Sequence, residues 1–427
     1  MKPIVTPVVK ARLQALKGVE DILPPDTYLW QTLEARAREV FGAYGFEEIR
    51  PPIIEQTELF VRSVGETTDI VEKEMYTFTD KGGRSVTLRP EGTAPVVRSF
   101  VEHHLNTNPS PQKYYYMGPM YRYERPQKGR QRQFHQIGVE AFGVAEPRMD
   151  AEVIAMLLEY LKKSGFEGLR LELNSIGDEV CRPVYKEKLK EYFGPRMNEL
   201  CPDCARRFEQ NPLRILDCKA AGCAALKGNA PKITDYLCTD CRAHFDSLQD
   251  YLKMLEIPFT LNPLMVRGLD YYTRTTFEVT TERLGAQNAV AAGGRYDRLV
   301  EDFGGPPTPA IGFALGMERL AALLKDRVEI PKPELFIAFI GGGAAREALR
   351  MAVELRAKGL WVEMGYEGAS LKSQLRKADR LGARYVFIIG EEELGKGVLK
   401  WKNLEEGSSG EIESAEAFAF LRPAQEG

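Results

Sequence analysis

The fold class of this chain is indicated most clearly by residues 113–143, KYYYMGPMYRYERPQKGRQRQFHQIGVEAFG. Polar and apolar side chains alternate with period two on both sides of a charged loop, which is typical of an antiparallel hairpin. The same alternation continues in LRLELNSIG (169–177) and YYTRTTFEVTT (271–281). Because such strands outnumber the helices between them, we expect an α+β fold built on an antiparallel sheet with flanking helices.

The rest of the chain divides into segments of different pattern. Helix-period apolar residues run from Asp26 to Tyr44, and GFEEIRPPIIEQTELF (45–60) then predicts a turn, a short strand and a proline break. After the polar segment 324–334, strands and helices alternate, which predicts an α/β domain. Within that domain, EEGSSG (405–410) is predicted to form a hairpin turn. We therefore expect the domains that follow: a core at 1–178 and 259–325, a helical cysteine-containing insertion at 179–258, and an α/β domain at 334–427.

Length and composition limit the class of protein. A chain of 427 residues exceeds what one hydrophobic core supports, and 44% hydrophobic with 28% charged residues is typical of a globular protein. The 58 basic and 61 acidic side chains give a net charge of −3, which argues against a bulk nucleic-acid binder but permits a local basic face. No apolar run approaches a membrane span or a signal peptide, so we expect a cytoplasmic protein.

Polar side chains on the two arms of the hairpin indicate a binding site. We expect Arg122 and Glu124 to share one face of the first strand, with Gln136 and Glu140 on one face of the second. The loop between them carries the cations that suit a polyanion such as a nucleotide's phosphates, namely Lys128, Arg130 and Arg132. A solvated charged hairpin is the ordinary alternative, and the inward glutamine and glutamate weigh against it.

Glu91 lies in a second polar segment, TLRPEGTAPVVRSF (87–100). Thr93 is suited to N-cap the helix that follows, with Pro95 in its first turn. That role leaves Glu91 unexplained. A carboxylate on a turn beside Gly92 can approach an ammonium group closely, as in an amino-acid substrate.

Three later segments add candidates. In VRGLDYYTRTTFEV (266–279), Arg267 precedes a turn, and Tyr271 and Tyr272 are expected to face opposite ways on a strand, although an ordinary aromatic strand has the same pattern. In VAAGGRYDRLV (290–300), adjacent glycines permit close approach of a ligand or simply form a turn. In AIGFALGMERLAALL (310–324), Arg319 in the first turn of a helix opposes the helix dipole unless an anion binds there; a surface arginine is the alternative.

Together these segments resemble the signature motifs of class II aminoacyl-tRNA synthetases. Residues 45–60 resemble motif 1, the dimer-interface element; residues 120–143 resemble motif 2; and residues 310–320 resemble motif 3. RGLDYYTRTTFEV (267–279) and AAGGRYDRL (291–299) are similar to the signatures of the bacterial histidyl-tRNA synthetase family. The motifs follow the family's order over most of the chain.

The resemblance implies a histidine–tRNA ligase. Such an enzyme activates L-histidine with ATP and Mg²⁺ to histidyl-adenylate and pyrophosphate, transfers histidine to the 3' end of tRNA-His, and forms a homodimer. It implies that Arg267 and Arg122 act at the α-phosphate, and that Arg122, Glu124, Arg130 and Arg319 bind ATP. The residues implied around histidine are Glu91, Gly92, Thr93, Gln136, Glu140, Tyr271 and Tyr272.

The C-terminal domain resembles the family's anticodon-binding domain, above all in residues 368–401. Lys372, Arg376 and Arg380 recur at four-residue spacing on one face of a helix. Such a face suits RNA phosphates, so these residues are candidates for binding tRNA. A solvated basic face is the commoner meaning of the pattern.

Six of the seven cysteines lie between Cys201 and Cys241. CPDC (201–204) and CTDC (238–241) are two C-x-x-C pairs whose thiolates suit one structural Zn²⁺, with Cys218 and Cys223 between them. Buried or reduced thiols are the equal alternative, since the commonest form of the family is not expected to hold a metal. Cys181 stands apart and is expected to be a small apolar residue.

Rival functions remain. The nearest is a non-catalytic, histidine-binding regulatory paralogue of ATP phosphoribosyltransferase, which typically lacks the C-terminal domain and part of the signatures that this chain keeps. A synthetase for proline or threonine is opposed by RGLDYYT together with Gln136 and Glu140. A pure RNA-binding module would not need the arginines that face ATP.

Overall fold

A computed structural model describes residues 13–65, 68–126, 130–284, 288–324 and 330–422. The chain forms two compact units, Met1–Val328 and Glu329–Gly427. In the described ranges, no helix is both long enough and apolar enough to cross a bilayer.

The first unit is built on an eight-stranded sheet within the described residues, ordered β1-β5-β6-β11-β10-β9-β7-β8. Neighbouring strands are antiparallel except in the pairs β1–β5 and β7–β8, and β2-β4-β3 form a separate small antiparallel sheet. The α+β prediction is confirmed. The strands are β1 (Glu47–Glu48), β2 (Ile54–Gln56), β3 (Tyr76–Thr79), β4 (Ser85–Leu88), β5 (Gln112–Tyr121), β6 (Gln133–Phe142), β7 (Arg170–Ser175), β8 (Phe259–Leu261), β9 (Thr273–Thr280), β10 (Ala289–Arg295) and β11 (Ala310–Gly316).

The hairpin of β5 and β6 is shorter than predicted. β5 ends at Tyr121, opposite Gln133. The N–H of Tyr123 then donates to the carbonyl of Glu74 at 2.7 Å, so the chain leaves the β5–β6 ladder. Arg122 and Glu124 therefore lie beyond the strand rather than on it, and their side chains still lie close together, with Arg122 Nη1 3.8 Å from Glu124 Oε1. Lys128 of the loop lies outside the described residues.

Helices pack on both faces of the large sheet. They are α1 (Asp26–Ala43), α2 (Thr57–Val64), α3 (Thr93–Glu102), α4 (Pro147–Lys163), α5 (Cys181–Phe193), α6 (Pro202–Gln210), α7 (Ala221–Lys227), α8 (Thr239–Met254), α9 (Leu299–Asp302) and α10 (Met317–Leu324). α1 buries Leu29, Leu33 and Val40 at the predicted helical period, in a core shared with α4, α8 and α10. α5 to α7 enclose a smaller core of their own. The face opposite α1, α4, α8 and α10 packs against α3 and α9 and carries the site described below.

The second unit is an α/β domain, as predicted. Its five-stranded sheet has the order β13-β12-β14-β15-β16, with β12 parallel to β13 and β14, and β15 antiparallel to both of its neighbours. Residues 404–408 join β15 to β16 as a hairpin turn. The elements are β12 (Leu335–Phe339), β13 (Val362–Met364), β14 (Tyr385–Ile389), β15 (Val398–Asn403), β16 (Ser409–Glu413), α11 (Gly342–Ala357), α12 (Leu371–Leu381), α13 (Glu391–Lys396) and α14 (Ala417–Leu421).

Candidate active site

A cavity on the face of the large sheet that packs against α3 brings together most of the side chains singled out from the sequence. Gly92 is not among its lining residues. Those that line it are Glu91, Thr93, Arg122, Glu124, Arg130, Gln136, Glu140, Arg267, Tyr271, Tyr272 and Arg319.

The register of β6 and β11 explains the floor of the cavity. Gln136 pairs with Gly316 and Glu140 pairs with Gly312, so each polar side chain has a glycine beside it. A Cβ on Gly312 would lie 2.0 Å from Oε2 of Glu140 and 2.3 Å from the Val139 carbonyl oxygen. Glycine at position 312 therefore makes room for the Glu140 carboxylate.

Glu140 is the most enclosed polar group in the cavity, at 1% exposure. Its carboxylate accepts hydrogen bonds from Thr93 Oγ1 at 2.7 Å and from the Tyr296 hydroxyl. Burial raises the pKa of Glu140 to about 8, and the hydrogen bonds from Tyr296 and Thr93 limit that rise. The sequence analysis missed Tyr296 as a site residue. Its place two residues after the paired glycines of AAGGRYDRL was the available signal.

Glu91 caps the N-terminus of α3, the role that the sequence pattern predicted for Thr93. α3 begins at Thr93, with Gly92 at the N-cap position. The Glu91 carboxylate accepts the backbone N–H groups of Thr93 at 2.7 Å and Ala94 at 2.8 Å, so it caps the helix in place of the threonine hydroxyl. Burial raises the pKa of Glu91. A Cβ on Gly92 would meet the Tyr116 ring at 2.1 Å, which explains that glycine.

Several arginines crowd the cavity beside the two carboxylates. Arg122 Nε donates to the Pro90 carbonyl at 2.8 Å, and Arg130 Nη1 donates to Glu124 Oε2 at 2.8 Å. Arg319 Nη1 donates to the Ala289 carbonyl at 2.5 Å. Burial, then the charge of Arg130, lower the pKa of Arg319, and the Arg122 charge acts in the same direction. A polyanion bound here would relieve that repulsion.

Arg267, Tyr271 and Tyr272 line another side of the cavity. Arg267 Nη1 donates to Glu278, its guanidinium carbon lies 5.3 Å from the centre of the Tyr272 ring, and its buried Nε has no hydrogen-bond partner among the described residues. The expectation that Tyr271 and Tyr272 face opposite ways is wrong because β9 begins only at Thr273. Their ring centres are 4.7 Å apart and both side chains line the cavity.

The basic residues of the second unit lie on α12. Lys372, Arg376 and Arg380 are exposed, whereas Ala378 on the same helix is buried against the sheet of its unit. The helix is N-capped by Ser370, whose hydroxyl accepts the N–H of Ser373. The predicted basic face is therefore open to solvent.

The cysteines do not form the one site expected from the two C-x-x-C pairs. Cys201 and Cys204 group with Cys218 and Cys223, while Cys238 and Cys241 group with Asp178 and Cys181. The sequence prediction was wrong about Cys181 as well, since its Sγ accepts the N–H of Cys238 at 3.0 Å.

Comparison with known families decides the relationship. A model of the family described as histidyl-tRNA synthetase matches residues 18–187 and 219–320, and one described as anticodon binding domain matches residues 334–423. The chain belongs to the histidyl-tRNA synthetase family. This synthetase is 55% identical over 409 residues to a histidine–tRNA ligase of Thermodesulfovibrio yellowstonii, with 95% of the chain and 97% of the relative covered. It is 52% identical to that of Syntrophotalea carbinolica, covering 93% and 95%.

Solved structures agree with this assignment. The crystal structure of apo histidyl-tRNA synthetase from S. aureus superposes on the synthetase with a TM-score of 0.82 at 39% identity, covering 96% of this chain and all of that one. A structure described as an ATP phosphoribosyltransferase regulatory subunit/histidyl-tRNA synthetase from Bacillus halodurans has a TM-score of 0.64 at 21% identity, covering 91% of this chain and 98% of that one. The second likeness shows the shared fold alone.

Proposed function

We propose that the cavity is where this histidine–tRNA ligase binds histidine and ATP and joins them as histidyl-adenylate. The observation that carries the proposal is the meeting of opposite charges in one enclosed space. Glu91 and Glu140 are buried, and within the described ranges neither forms an ion pair. Arg122, Arg130 and Arg319 line the same cavity and supply positive charge, and the Arg122 charge opposes the rise in the pKa of Glu91 that burial causes.

The carboxylate side of the cavity suits the histidine substrate. Glu91 and Glu140 offer negative charge to the ammonium group, and Thr93 and Gln136 offer polar atoms to the ammonium group or the imidazole. Gln136 Oε1 is buried and has no hydrogen-bond partner among the described residues, which leaves it an acceptor for a ligand. Tyr271 and Tyr272 close the space around the ring of the substrate.

The arginine side suits ATP. In the activation step, a carboxylate oxygen of histidine bonds to the α-phosphorus while the bond from that phosphorus to the pyrophosphate oxygen breaks. Such an in-line displacement needs positioning and fixed positive charge rather than a nucleophilic side chain. Arg122 and Arg267 would stabilise charge at the α-phosphate, while Glu124, Arg130 and Arg319 would place the adenosine and outer phosphates.

The family's use of ATP implies a divalent cation. Mg²⁺ binds ATP through phosphate oxygens and one or two protein carboxylates, and Glu124 in the cavity fits that requirement. When bound, the ion would neutralise phosphate charge. Glu124 also orients Arg130 through the hydrogen bond at 2.8 Å.

The second unit supports recognition of tRNA-His. It matches the anticodon binding domain over residues 334–423, and the exposed cations of α12 would contact RNA phosphates. For transfer of histidine to the terminal ribose, the cavity has no side chain that we assign as general base, and a phosphate oxygen of the adenylate would accept the proton. The homodimer and the cytoplasmic location stay predictions.

The rival function, a non-catalytic regulatory paralogue of ATP phosphoribosyltransferase, is less well supported. Its structural likeness is limited to the fold, whereas ligases match across nearly the whole chain. The arginines that face ATP would also have no task in a protein that only senses histidine.

The role of Arg267 is tested by ATP–pyrophosphate exchange with the Arg267→Ala variant. Loss of a group that stabilises transition-state charge costs roughly 100- to 1,000-fold in rate, so we expect a fall of that size in histidine-dependent exchange. Arg170→Ala is the matched control, because Arg170 begins β7 and its side chain forms an exposed ion pair with Glu282. Equal exchange rates in the two variants would refute the role given to Arg267.

A further inference from the structure

All seven cysteines of the chain belong to one of two compact groups. The thiol tetrad consists of Cys201, Cys204, Cys218 and Cys223, and the neck group consists of Asp178, Cys181, Cys238 and Cys241. In each group, one ligand atom from every residue lies within 4.8 Å of the others. We propose that each group binds one structural Zn²⁺, so that the synthetase holds two zinc ions in separate sites.

The spacing of the sulfur atoms fits a single ion in the tetrad. Zn–S bonds of about 2.3 Å in a tetrahedron place the sulfurs about 3.8 Å apart. Cys201 Sγ and Cys218 Sγ lie 3.8 Å apart. A disulfide would need about 2.05 Å, and all seven cysteines are free. The neck group replaces one thiolate with the Asp178 carboxylate, which is also a zinc ligand.

The backbone around both groups is arranged to stabilise thiolates. CPDC and CTDC each start a helix, with Cys201 as the N-cap residue of α6 and Cys238 as the N-cap residue of α8. Sulfur atoms also accept backbone N–H groups: Cys223 Sγ from Cys201 at 3.3 Å, and Cys181 Sγ from Cys238 at 3.0 Å. Zinc binds the thiolate form, so these donors and helix termini favour the ligand state.

The thiol tetrad lies in the small hydrophobic core of the insertion, which a metal ion would stabilise. Cys204 and Cys223 are buried in the small core that α5, α6 and α7 enclose, and Cys201 and Cys218 pack beside them. Cys201 and Cys204 belong to the start of α6, Cys223 lies in α7, and Cys218 lies in the segment that joins these two short helices. Small cores of this kind are commonly held by a metal or disulfides. The family model leaves residues 188–218 unmatched, which include three of the four ligands.

The neck group lies where the chain leaves the large sheet and returns toward it. Asp178 and Cys181 follow β7, and Cys238 and Cys241 begin α8, which packs on the same face of the sheet as α1. Arg182, next to Cys181, donates hydrogen bonds to the carbonyls of Ile176 and Tyr272. An ion in the neck group would thus fix the start of α5 and, through Arg182, the backbone of a residue that lines the cavity.

Zinc content of the purified protein, prepared without chelators and measured by mass spectrometry, tests the proposal independently of catalysis. We expect two Zn²⁺ per chain. Cys201→Ser and Cys238→Ser change half-buried cysteines, one in each group, and each variant should retain one ion. Asp240→Asn is the matched control, because Asp240 lies inside CTDC but is exposed and outside the neck group, and it should retain two.

Cobalt substitution identifies which site remains. Sulfur-to-cobalt charge-transfer absorbance scales with the number of thiolates bound, so the Co²⁺ form of Cys201→Ser should keep three-sevenths of the native band and that of Cys238→Ser four-sevenths. If a variant fails to fold, the native zinc count decides alone. The proposal is overturned by native protein with fewer than two ions per chain, by iron in place of zinc, or by seven thiols that all react at once with a thiol reagent in the folded protein.

Discussion

The hydroxyl of Tyr296 is the group whose removal tests the architecture of the histidine site most sharply. It donates to Glu140 Oε2, and the same carboxylate also accepts a hydrogen bond from Thr93 Oγ1 at 2.7 Å. Both Tyr296 and Glu140 are about 1% exposed, so water does not replace the lost donor easily. Tyr296→Phe removes one oxygen and leaves the shape of the side chain intact.

The size of the effect follows from the charge on the acceptor. A hydrogen bond to a charged group contributes about 1.5–3 kcal/mol, and tenfold in affinity corresponds to about 1.4 kcal/mol. Because the substrate ammonium favours charged Glu140, we expect histidine to bind roughly 10- to 150-fold more weakly. The same loss should raise the pKa of Glu140, already about 8, by about one to two units.

Histidine titration by calorimetry between pH 6 and 9, together with the KM for histidine in exchange, measures both effects. We expect native affinity to rise with pH up to about 8 as Glu140 gives up its proton, and the rise to extend to higher pH in the variant. Tyr185→Phe is the control, because its hydroxyl donates at 2.8 Å to the Pro231 carbonyl in the insertion. Histidine affinity within twofold of native, with an unshifted pH profile, would refute the reasoning.

Three further results are expected. The pKa of Glu140 is raised in the folded state, so the folded protein binds more protons than the unfolded chain between about pH 4.5 and 8. The free energy of unfolding should therefore fall as the pH rises across that window, and more steeply in the native protein than in Glu140→Gln. Equal slopes in denaturant titrations of the two proteins would contradict this. Arg319→Met should lower kcat/KM for ATP by roughly 10- to 150-fold while the Kd for histidine stays the same. A parallel loss of histidine affinity would show that Arg319 stabilises the fold rather than binds the phosphates. Replacing Lys372, Arg376 and Arg380 together by alanine should weaken tRNA binding and make its salt dependence shallower by about two units of log–log slope, with exchange unchanged; an unaltered slope would remove α12 from the interface.

Local patterns predicted the fold well. The period-two alternation of residues 133–143 became β6, and the helical period of residues 26–44 became α1. The end of β5 was not predictable, since Tyr121 is followed by a backbone bond from Tyr123 to Glu74, nearly fifty positions away, that no local pattern encodes.

The site was predicted as a set of residues but not as a network. Tyr296 and Glu140 are 156 positions apart, and their contact depends on a sheet in which β11 alone separates β10 from β6. The cysteines show the same limit. Spacing joined CPDC to CTDC, whereas the folded chain pairs each motif with different partners. CPDC starts α6 and CTDC starts α8, and α6 and α7 lie between the two starts. The spacing of residues in the sequence identifies the side chains that could bind a metal. The tertiary structure determines which of those side chains lie next to one another.

Amino-acid-dependent ATP–pyrophosphate exchange with the native protein, run separately with each of the twenty amino acids, tests the central claim most directly. We expect exchange with histidine alone, because the buried carboxylates and the arginines share one cavity. Binding of histidine without any exchange would contradict it and would favour the regulatory paralogue instead.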